Sequence, residues 1–388
     1  MSQVLRFGII GCGLMGKEFA SAAARWCHLQ DIGVKPVIVA ACDVNESAIR
    51  WFDDNLNLEL TTTDYHELLE HDLDAVYCAV PHNLHEQMYG DIIRAGKHLL
   101  GEKPFGIDQA ANTNINQIIR EHPEVIVRCS SEFPFYPGAM RVVNALQAGD
   151  FGEIINVEAG FLHSSDLNPN KAINWKRMIA SNGEYGCMGD LGMHVVHIPA
   201  RCGWQFSDIS AQLSNIVRER PDGKGNMVPC ETWDNATLLA RATTSDTTSD
   251  TTSKTSFPIT LHTKRIAPGE MNTWFITVHG TKTSMHFSTK YPRTLKRLDY
   301  TGGEQAWQHI DVGYASAYPA ITGGIFEFGF PDSMLQMWAA FCDEVAFGQS
   351  GMQQPFYCVT PAEAAISHQL FTAALTVERQ HEVHVANA

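Results

Sequence analysis

The sequence lacks a long apolar run. No segment approaches the roughly 20 apolar residues that a membrane-spanning helix needs. Residues 1–6 lead straight into a strand-like run, without the charged and then apolar leader of a secretory signal. We therefore expect a cytoplasmic protein that has no membrane partner.

Positive charge and paired cysteines are also scarce. The chain has 28 Lys and Arg residues against 43 Asp and Glu residues, a formal net charge of −15. This balance argues against an electrostatic grip on nucleic acid or anionic lipid. The 10 cysteines include no CxxC pair. In a large chain without a secretory signature, we expect reduced thiols and no disulfide framework.

The first third of the chain alternates strand-like and helix-like patterns. Apolar, β-branched runs lie at residues 4–10, 36–42, 74–79, 97–100 and 124–129, with helical stretches between several of them. This alternation is typical of a doubly wound parallel sheet that is covered on both faces. The pattern predicts an α/β domain over residues 1–130.

The remainder of the chain has longer strand-like segments. Those at 154–162, 208–217, 235–242, 257–263 and 274–279 predict a larger, mostly antiparallel sheet, flanked by helices at about 137–146, 189–202, 333–347 and 361–378. We predict an α+β domain over residues 131–388. A polar Thr/Ser/Asp tract at 243–256 is interpreted as an elongated hairpin turn or as a flexible recognition loop.

A glycine-rich loop follows the first predicted strand. Gly11, Gly13 and Gly16 form a G-x-G-x-x-G pattern between a strand and a helix, which is the context of a dinucleotide site. The three glycines permit a tight turn, close approach of the pyrophosphate, and close packing of helix on strand. With Leu14 and Met15 they form the predicted cofactor-binding segment, whose helix N-terminus attracts phosphate.

Asp43 ends the second predicted strand, where an acidic residue binds the ribose hydroxyls of a dinucleotide. A carboxylate at this position repels a 2′-phosphate, and the following Val44 and Asn45 supply no cation. The sequence therefore favours NAD over NADP as the cofactor.

Three polar residues have the chemistry that alcohol oxidation by a nicotinamide requires. His194 suits the transfer of the hydroxyl proton in either direction because imidazole titrates near neutral pH. Asp190 lies four residues earlier on the same helical face and could bind the substrate or make His194 more basic. Lys103 can stabilise a developing alkoxide, and Pro104 favours an extended or turning backbone there.

His197 adds an alternative to this set. Asp190, His194 and His197 have i, i+4, i+7 spacing, which resembles a two-histidine, one-carboxylate metal set. The chemistry needs no metal when a lysine is present, so we predict none. His197 is then expected to contact the substrate or to support residues that do.

The motifs together resemble those of the Gfo/Idh/MocA oxidoreductases, the family of glucose-fructose oxidoreductase and inositol dehydrogenase. The resemblance rests on the glycine loop at 11–16, a Pro-x-x-x-His segment from Pro81 to His85, a Gly-Lys-His strand running into Glu-Lys-Pro at 96–104, and an Asp-x-x-x-His helix at 190–194. It extends over most of the chain.

This resemblance implies a Rossmann domain followed by a domain with an open sheet that often serves oligomer contacts. It implies that Lys103, Asp190 and His194 are catalytic and that Pro81, His85, Glu102 and Lys103 line the cofactor. Substrates would be sugars, sugar derivatives or cyclitols, and the protein a homo-oligomer, dimer or tetramer. The segment at 175–177 precedes the catalytic helix, where family members often carry substrate-binding residues. Trp175 and Arg177 are therefore candidate substrate-binding residues beside Lys103, Asp190, His194 and His197; the alternative is that the segment is a solvated surface turn.

The chain departs from the family pattern at two places. The segment Ser-Glu-Phe-Pro-Phe-Tyr-Pro at 131–137 replaces an Asn-x-Arg type segment, and His197 replaces an aspartate. Both changes are expected to touch the substrate. The leading hypothesis is a dehydrogenase or reductase of a sugar-like polyol. The alternatives are a redox-neutral NAD-dependent glycosidase, a reductase of a non-sugar carbonyl, and a non-catalytic NAD-binding regulator.

Overall fold

The computed structural model describes residues 2–244, 255–313, 316–323 and 325–386, with the backbone alone over 381–386. Most of the Thr/Ser/Asp tract therefore lies outside the described residues. Its two ends belong to neighbouring antiparallel strands, in which Thr243 pairs with Ser256.

The described residues contain sixteen strands and ten α-helices. The strands are β1 (Gln3–Ile10), β2 (Val34–Cys42), β3 (Leu60–Thr62), β4 (Ala75–Cys78), β5 (His98–Gly101), β6 (Val127–Cys129), β7 (Ile154–Leu162), β8 (Gln205–Ser214), β9 (Glu219–Pro221), β10 (Met227–Pro229), β11 (Asn235–Thr243), β12 (Ser256–Lys264), β13 (Thr273–Gly280), β14 (Thr283–Ser288), β15 (Thr294–Asp299) and β16 (Gln308–Asp311). The helices are α1 (Leu14–Ala24), α2 (Glu46–Asn55), α3 (Tyr65–Glu70), α4 (His85–Arg94), α5 (Gln109–Glu121), α6 (Pro137–Ala148), α7 (Ile179–Asn182), α8 (Cys187–Arg201), α9 (Phe330–Phe347) and α10 (Pro361–Ala386).

The chain divides into two compact units. The first comprises residues 1–136 and 313–362, and the second comprises residues 137–312 and 363–388. The sequence predicted a change of domain near residue 130 and assigned everything beyond it to the second domain. The structure differs because residues 313–362 return to the first unit.

Aromatic packing explains why α9 belongs to the first unit. The Trp338 ring lies 5.4 Å from Phe7 on β1 and 3.6 Å from Phe19 on α1, between ring centroids. All three side chains are buried. Burying aromatic side chains of this size contributes strongly to a core, so α9 completes the core beside β1.

The first unit contains a parallel sheet with strand order β3-β2-β1-β4-β5-β6 among the described residues. The direction of strand addition reverses between β1 and β4, which creates a topological switch point where parallel α/β sheets bind ligands. The loops after β1, β2, β4, β5 and β6 all leave from the carboxyl edge of this sheet. This edge positions the candidate nucleotide site.

The second unit is built on a larger sheet, in which the described strands follow the order β16-β15-β14-β13-β7-β12-β11-β8. β7 pairs in parallel with β12, and the other neighbours are antiparallel. Helix α8 packs on β7 and β12. The fold class predicted from the sequence, a Rossmann sheet followed by a mostly antiparallel α+β sheet, is confirmed.

No helix within the described residues combines the length and the apolar character that a bilayer-spanning segment requires.

Candidate active site

The glycine loop after β1 is fixed by contacts inside the first unit. Gly11 has φ +100°, and a Cβ atom there would overlap the carbonyl oxygen of Ala79. A Cβ atom on Gly16 would overlap the carbonyl oxygen of Gly11. The fold itself therefore requires glycine at both positions, since any side chain would collide with backbone.

Gly13 has no such internal reason to be glycine. Its φ of −72° suits any residue, and a Cβ atom there would meet no heavy atom of the described part of the chain within 4 Å. α1 begins directly after it, with no side-chain cap and no acidic residue in its first turn. Leu14 is 74% exposed. An open, uncapped helix N-terminus beside a bare backbone fits the pyrophosphate of a dinucleotide.

Asp43, which follows β2, is hydrogen-bonded to the glycine loop. Its Oδ2 accepts a hydrogen bond of 2.8 Å from the backbone N–H of Cys12, and its Oδ1 accepts one of 2.8 Å from Asn45. The half-buried carboxylate thus joins the end of β2 to the glycine loop. A carboxylate in this position matches the predicted role in binding ribose hydroxyls.

The loop after β4 contains Pro81 and leads to His85, both predicted to line the cofactor. Pro81 precedes a short 3₁₀ turn and is half-buried. His85 is fully buried. Its Nε2 lies 3.1 Å from the carbonyl of Val80, and its Nδ1 accepts a hydrogen bond of 3.2 Å from Gly106 N–H. His85 therefore ties together the loops after β4 and β5.

Glu102 and Lys103 follow β5 at the same edge. The Glu102 side chain accepts a hydrogen bond of 2.7 Å from the Tyr77 hydroxyl, while its carbonyl accepts one of 2.8 Å from Tyr89. The Lys103–Pro104 peptide is cis. The next residue, Phe105, is fully buried although its φ is +71°. Packing fixes this turn in a conformation that L-residues disfavour, so Lys103 leaves the sheet from a defined backbone.

Glu132 follows β6 and is buried. Burial, together with the charge of Glu102, raises the pKa of Glu132 to about 8, against the opposing charge of Lys103. A carboxyl group that holds its proton near neutral pH thus lies within electrostatic range of Lys103. The sequence suggested only that segment 131–137 touches substrate, because an acidic residue between a serine and a phenylalanine gave no sign of its pKa.

Replacing Glu132 with glutamine should flatten the dependence of stability on pH. The folded-state pKa of Glu132 lies above the unfolded value, so its contribution is greatest at low pH and is lost as pH rises through about 8. Relative to Glu132→Gln, the wild type should lose about 3 kcal/mol of unfolding free energy between about pH 5 and about pH 8. Urea unfolding at each pH measures this difference. Parallel curves for the two proteins would contradict it, and exposed Glu70→Gln should give the wild-type curve.

In the second unit, α8 carries Asp190 and His194 on one face. The helix is buried along most of its length, from Cys187 to Ala200. The ring of His194 lies edge-on to Phe161 at 5.4 Å, and its backbone carbonyl accepts a hydrogen bond of 2.9 Å from the Trp274 indole. Asp190 lies in the first helical turn, where the helix dipole favours a carboxylate.

Asp190 is held by two cations. Its Oδ1 accepts a hydrogen bond of 2.8 Å from Lys176, and its Oδ2 is bonded by Arg265. Arg265 also donates to Asp166 at 2.9 Å. Lys176 and Arg265 were not predicted as site residues. Lys176 had a signal, since it stands in the predicted segment 175–177, but Arg265 had none because its partner is distant in sequence.

The structure does not support the prediction that Arg177 binds substrate. Arg177 is completely buried, lies 3.4 Å from Asp234, and donates hydrogen bonds to Asn215 at 3.0 Å and to the Val217 carbonyl. Its guanidinium is directed into the fold, whereas the adjacent Lys176 contacts Asp190. Trp175 is half-buried, and its ring lies 5.5 Å from the Lys176 ammonium.

His197 has a structural partner. Its Nε2 lies 2.9 Å from the guanidinium of Arg201, so it accepts that hydrogen bond. Burial, Arg201 and His194 together hold the pKa of His197 well below its usual value. Among the described residues, no group of three or more His, Cys, Asp or Glu side chains is arranged to hold a metal ion.

Comparison with known proteins identifies the first unit. Residues 5–129 match the model of the GFO_IDH_MocA oxidoreductase family, described as an NAD-binding Rossmann fold. This part of the chain belongs to the Gfo/Idh/MocA oxidoreductase family. The predicted family and the predicted NAD-binding Rossmann fold are thus confirmed.

Several individual proteins are similar. Levoglucosan dehydrogenase of Pseudarthrobacter phenanthrenivorans is 24% identical over 221 residues, 56% of each chain. An α-N-acetylgalactosaminidase of Shewanella oneidensis is 28% identical over 180 residues, 42% of this chain and 36% of that protein. The match thus spans about half the length of the first curated relative and less of the second. A levoglucosan dehydrogenase structure in complex with NADH and L-sorbose aligns over 97% of both chains with a TM-score of 0.82 and 22% identity, which shows a shared fold.

Proposed function

We propose that this protein is an NAD-dependent dehydrogenase or reductase that interconverts a secondary alcohol and a ketone on a sugar, a sugar derivative or a cyclitol. The observation that carries the proposal is the open glycine loop of a family-matched NAD domain, with Lys103 at the same sheet edge. The sugar-active relatives support the substrate class.

Bound NAD supplies the hydride acceptor for oxidation and, as NADH, the donor for reduction. We propose His194 as the group that takes the hydroxyl proton during oxidation and returns it during reduction. Its near-complete burial limits exchange of that proton with bulk water. We propose Lys103 as the cation that stabilises the developing alkoxide and Asp190 as the third catalytic residue.

We propose NAD as the preferred dinucleotide over NADP. The support is the Asp43 carboxylate, which is already fixed by two backbone N–H groups of neighbouring residues. Fixing a negative charge here costs affinity for a 2′-phosphate and favours free ribose hydroxyls. Exposed Val44 beside it adds no compensating cation.

The substrate-binding residues remain a proposal. Trp175 and Lys103 are half-buried and are accessible to a ligand within their own units, and we keep them, with Asp190 and His194, as the candidates. A cytoplasmic location and a homo-oligomeric state, dimer or tetramer, also remain predictions from the sequence and the family resemblance.

A redox-neutral glycosidase is the second candidate, favoured by the similarity to the α-N-acetylgalactosaminidase. Such an enzyme would oxidise its substrate transiently and return the hydride within one cycle. It would therefore release the leaving group of a glycoside without net formation of NADH. The two candidates differ in a product that one assay can detect.

The test is to incubate the purified chain with NAD or NADP and a panel of sugars, anhydrosugars, glycosides, inositols and sugar acids. NADH absorbance and release of a nitrophenol from nitrophenyl glycosides would be followed together. We expect the reduced dinucleotide to form with one group of substrates, and NADH to form from NAD faster than NADPH forms from NADP. Nitrophenol release without NADH would support the glycosidase. If neither NADH nor nitrophenol formed although calorimetry showed NAD binding, the result would count against both candidates for the tested substrates.

A further inference from the structure

Four side chains of alternating charge form a row of ion pairs in the second unit, and Asp190 is one of them. Lys176 and Arg265 each contact the Asp190 carboxylate, and Arg265 contacts Asp166 in turn. The side chains of Asp190, Arg265 and Asp166 are at most 7% exposed, whereas that of Lys176 is 31% exposed. Asp190 is therefore fixed from a buried side and from a more accessible side.

Both cations are themselves held in place. Arg265 directly follows β12, and its guanidinium spans two carboxylates. Lys176 lies in a 3₁₀ turn whose N-cap residue Asn174 accepts its backbone N–H at 3.0 Å. Thr232 donates to the Lys176 carbonyl at 2.9 Å. The orientation of the Asp190 carboxylate is thus set by groups that are anchored to the fold.

Arg265 and Asp166, two buried members of this row, stay charged. Burial would lower the pKa of Arg265, but Asp190 and Asp166 raise it above its usual value. Burial would raise the pKa of Asp166, but Arg265 holds it below its usual value. When a charged group lies at hydrogen-bonding distance from groups of opposite charge, those groups compensate most of its charge. Its electrostatic effect on other neighbouring residues is then weak.

The compensation matters for His194, which lies four residues after Asp190 on α8. Side chains at this spacing are neighbours on a helix. A carboxylate acting alone there would stabilise the charged imidazole and would slow the return of its proton. The sequence left open whether Asp190 strengthens His194 as a base or serves another role, and its two cations favour the second possibility.

We propose that Arg265 is a positioning residue that, with Lys176, fixes the orientation of Asp190 and takes up its charge, so that His194 transfers protons without the field of a free carboxylate. This role rests on the proposed function, because it concerns proton transfer by the same His194. In this proposal Asp190 acts through the orientation of its carboxylate and through its hydrogen bonds, and not through its net charge.

The pH behaviour of His194 depends on every charged or titratable group packed near it. On α8 these are Asp190 and His197, and beyond the end of β7 the ring of His163 lies 4.6 Å from Phe161, which itself contacts His194. Three further groups influence His194 indirectly, because they are ion-paired with Asp190 or with its partner. They are Lys176, Arg265 and Asp166.

The test follows the His194 ring proton by NMR during a pH titration, with the resonance identified by its loss in His194→Gln. In Arg265→Met the titration midpoint should move upward by about half to one pH unit, because Asp190 loses one of its cations. Arg265→Lys, which keeps the charge, should restore most of the wild-type midpoint. Lys176→Met tests the same idea from the exposed side of Asp190 and does not remove a buried guanidinium.

Two controls separate positioning from general loss of structure. Arg220 is a buried arginine that donates to the Asp166 carbonyl and does not bond to Asp190, so Arg220→Met should leave the His194 midpoint unchanged. In an Asp190→Asn background, Arg265→Met should no longer move it. A shift of equal size in that background would show a direct effect of the arginine charge and would overturn the proposal.

The titration needs no substrate, so the two hypotheses fail separately. An unchanged midpoint in both Arg265→Met and Lys176→Met would overturn the positioning role even if the dehydrogenase is active. An upward shift that requires Asp190, in a protein that turns over none of the sugar panel, would support the positioning role and count against the proposed function.

Discussion

Replacing His194 with glutamine is expected to lower kcat by about a thousandfold while NAD affinity stays within about twofold of the wild type. Glutamine retains a hydrogen-bonding side chain but cannot take up a proton. The His194 backbone, bonded to Trp274, should keep α8 in place. Lys103→Met should lower kcat by about a hundredfold or more, because it removes a fixed charge from the developing alkoxide. Steady-state turnover on the substrate found in the panel measures both effects.

Two comparisons show whether these losses are chemical. His286→Gln changes a half-buried histidine of β14 that contacts Thr277, so turnover should remain near normal. Calorimetric titration with NAD should give similar affinities for all the variants. Near-normal kcat in either His194→Gln or Lys103→Met would remove that residue from the catalytic assignment.

Local sequence patterns predicted most of the regular elements. The segment 154–162 coincides with β7, and the predicted helix 189–202 overlaps α8. The pattern gave no sign of β3, which has three residues, or of β16, which is short and largely polar. α5 was also not predicted, since its sequence is rich in asparagine, a residue with low intrinsic helix propensity. Short or polar elements form because neighbouring strands and helices supply their partners.

The candidate site also has a part that local sequence predicts and a part that depends on residues distant in sequence. The glycine loop and the Asp-x-x-x-His helix are local motifs, so their spacing alone brought Gly13 and His194 to attention. The partners of Asp190 are not local. Whether Lys176 or Arg177 turns inward depends on the buried Asp234, which binds Arg177. The pKa of Glu132 likewise depends on burial and on Glu102, neither of which periodicity reveals.

Exchanging Gly13 for serine is expected to abolish tight NAD binding and leave the fold intact. The position has φ −72°, and a Cβ atom there would meet no heavy atom of the described residues within 4 Å. A serine hydroxyl at this N-cap can also accept from the first N–H groups of α1, which stabilises the helix. That hydroxyl then occupies the space that the pyrophosphate needs. NAD affinity measured by calorimetry should fall about a hundredfold, or about 2.7 kcal/mol, with little change in Tm.

Gly11→Ala is the matched variant in the same loop, and it should behave in the opposite way. Its alanine must adopt φ +100° and would press against the Ala79 carbonyl, so unfolding free energy should fall by about 2 kcal/mol or more. Thermal unfolding without NAD separates the two cases. If Gly13→Ser lost as much stability as Gly11→Ala, or bound NAD as the wild type does, Gly13 would not be glycine for the sake of the dinucleotide. A stable but NAD-deficient Gly13→Ser would tie the open backbone of this loop to the ligand, because the fold itself makes no demand on that position.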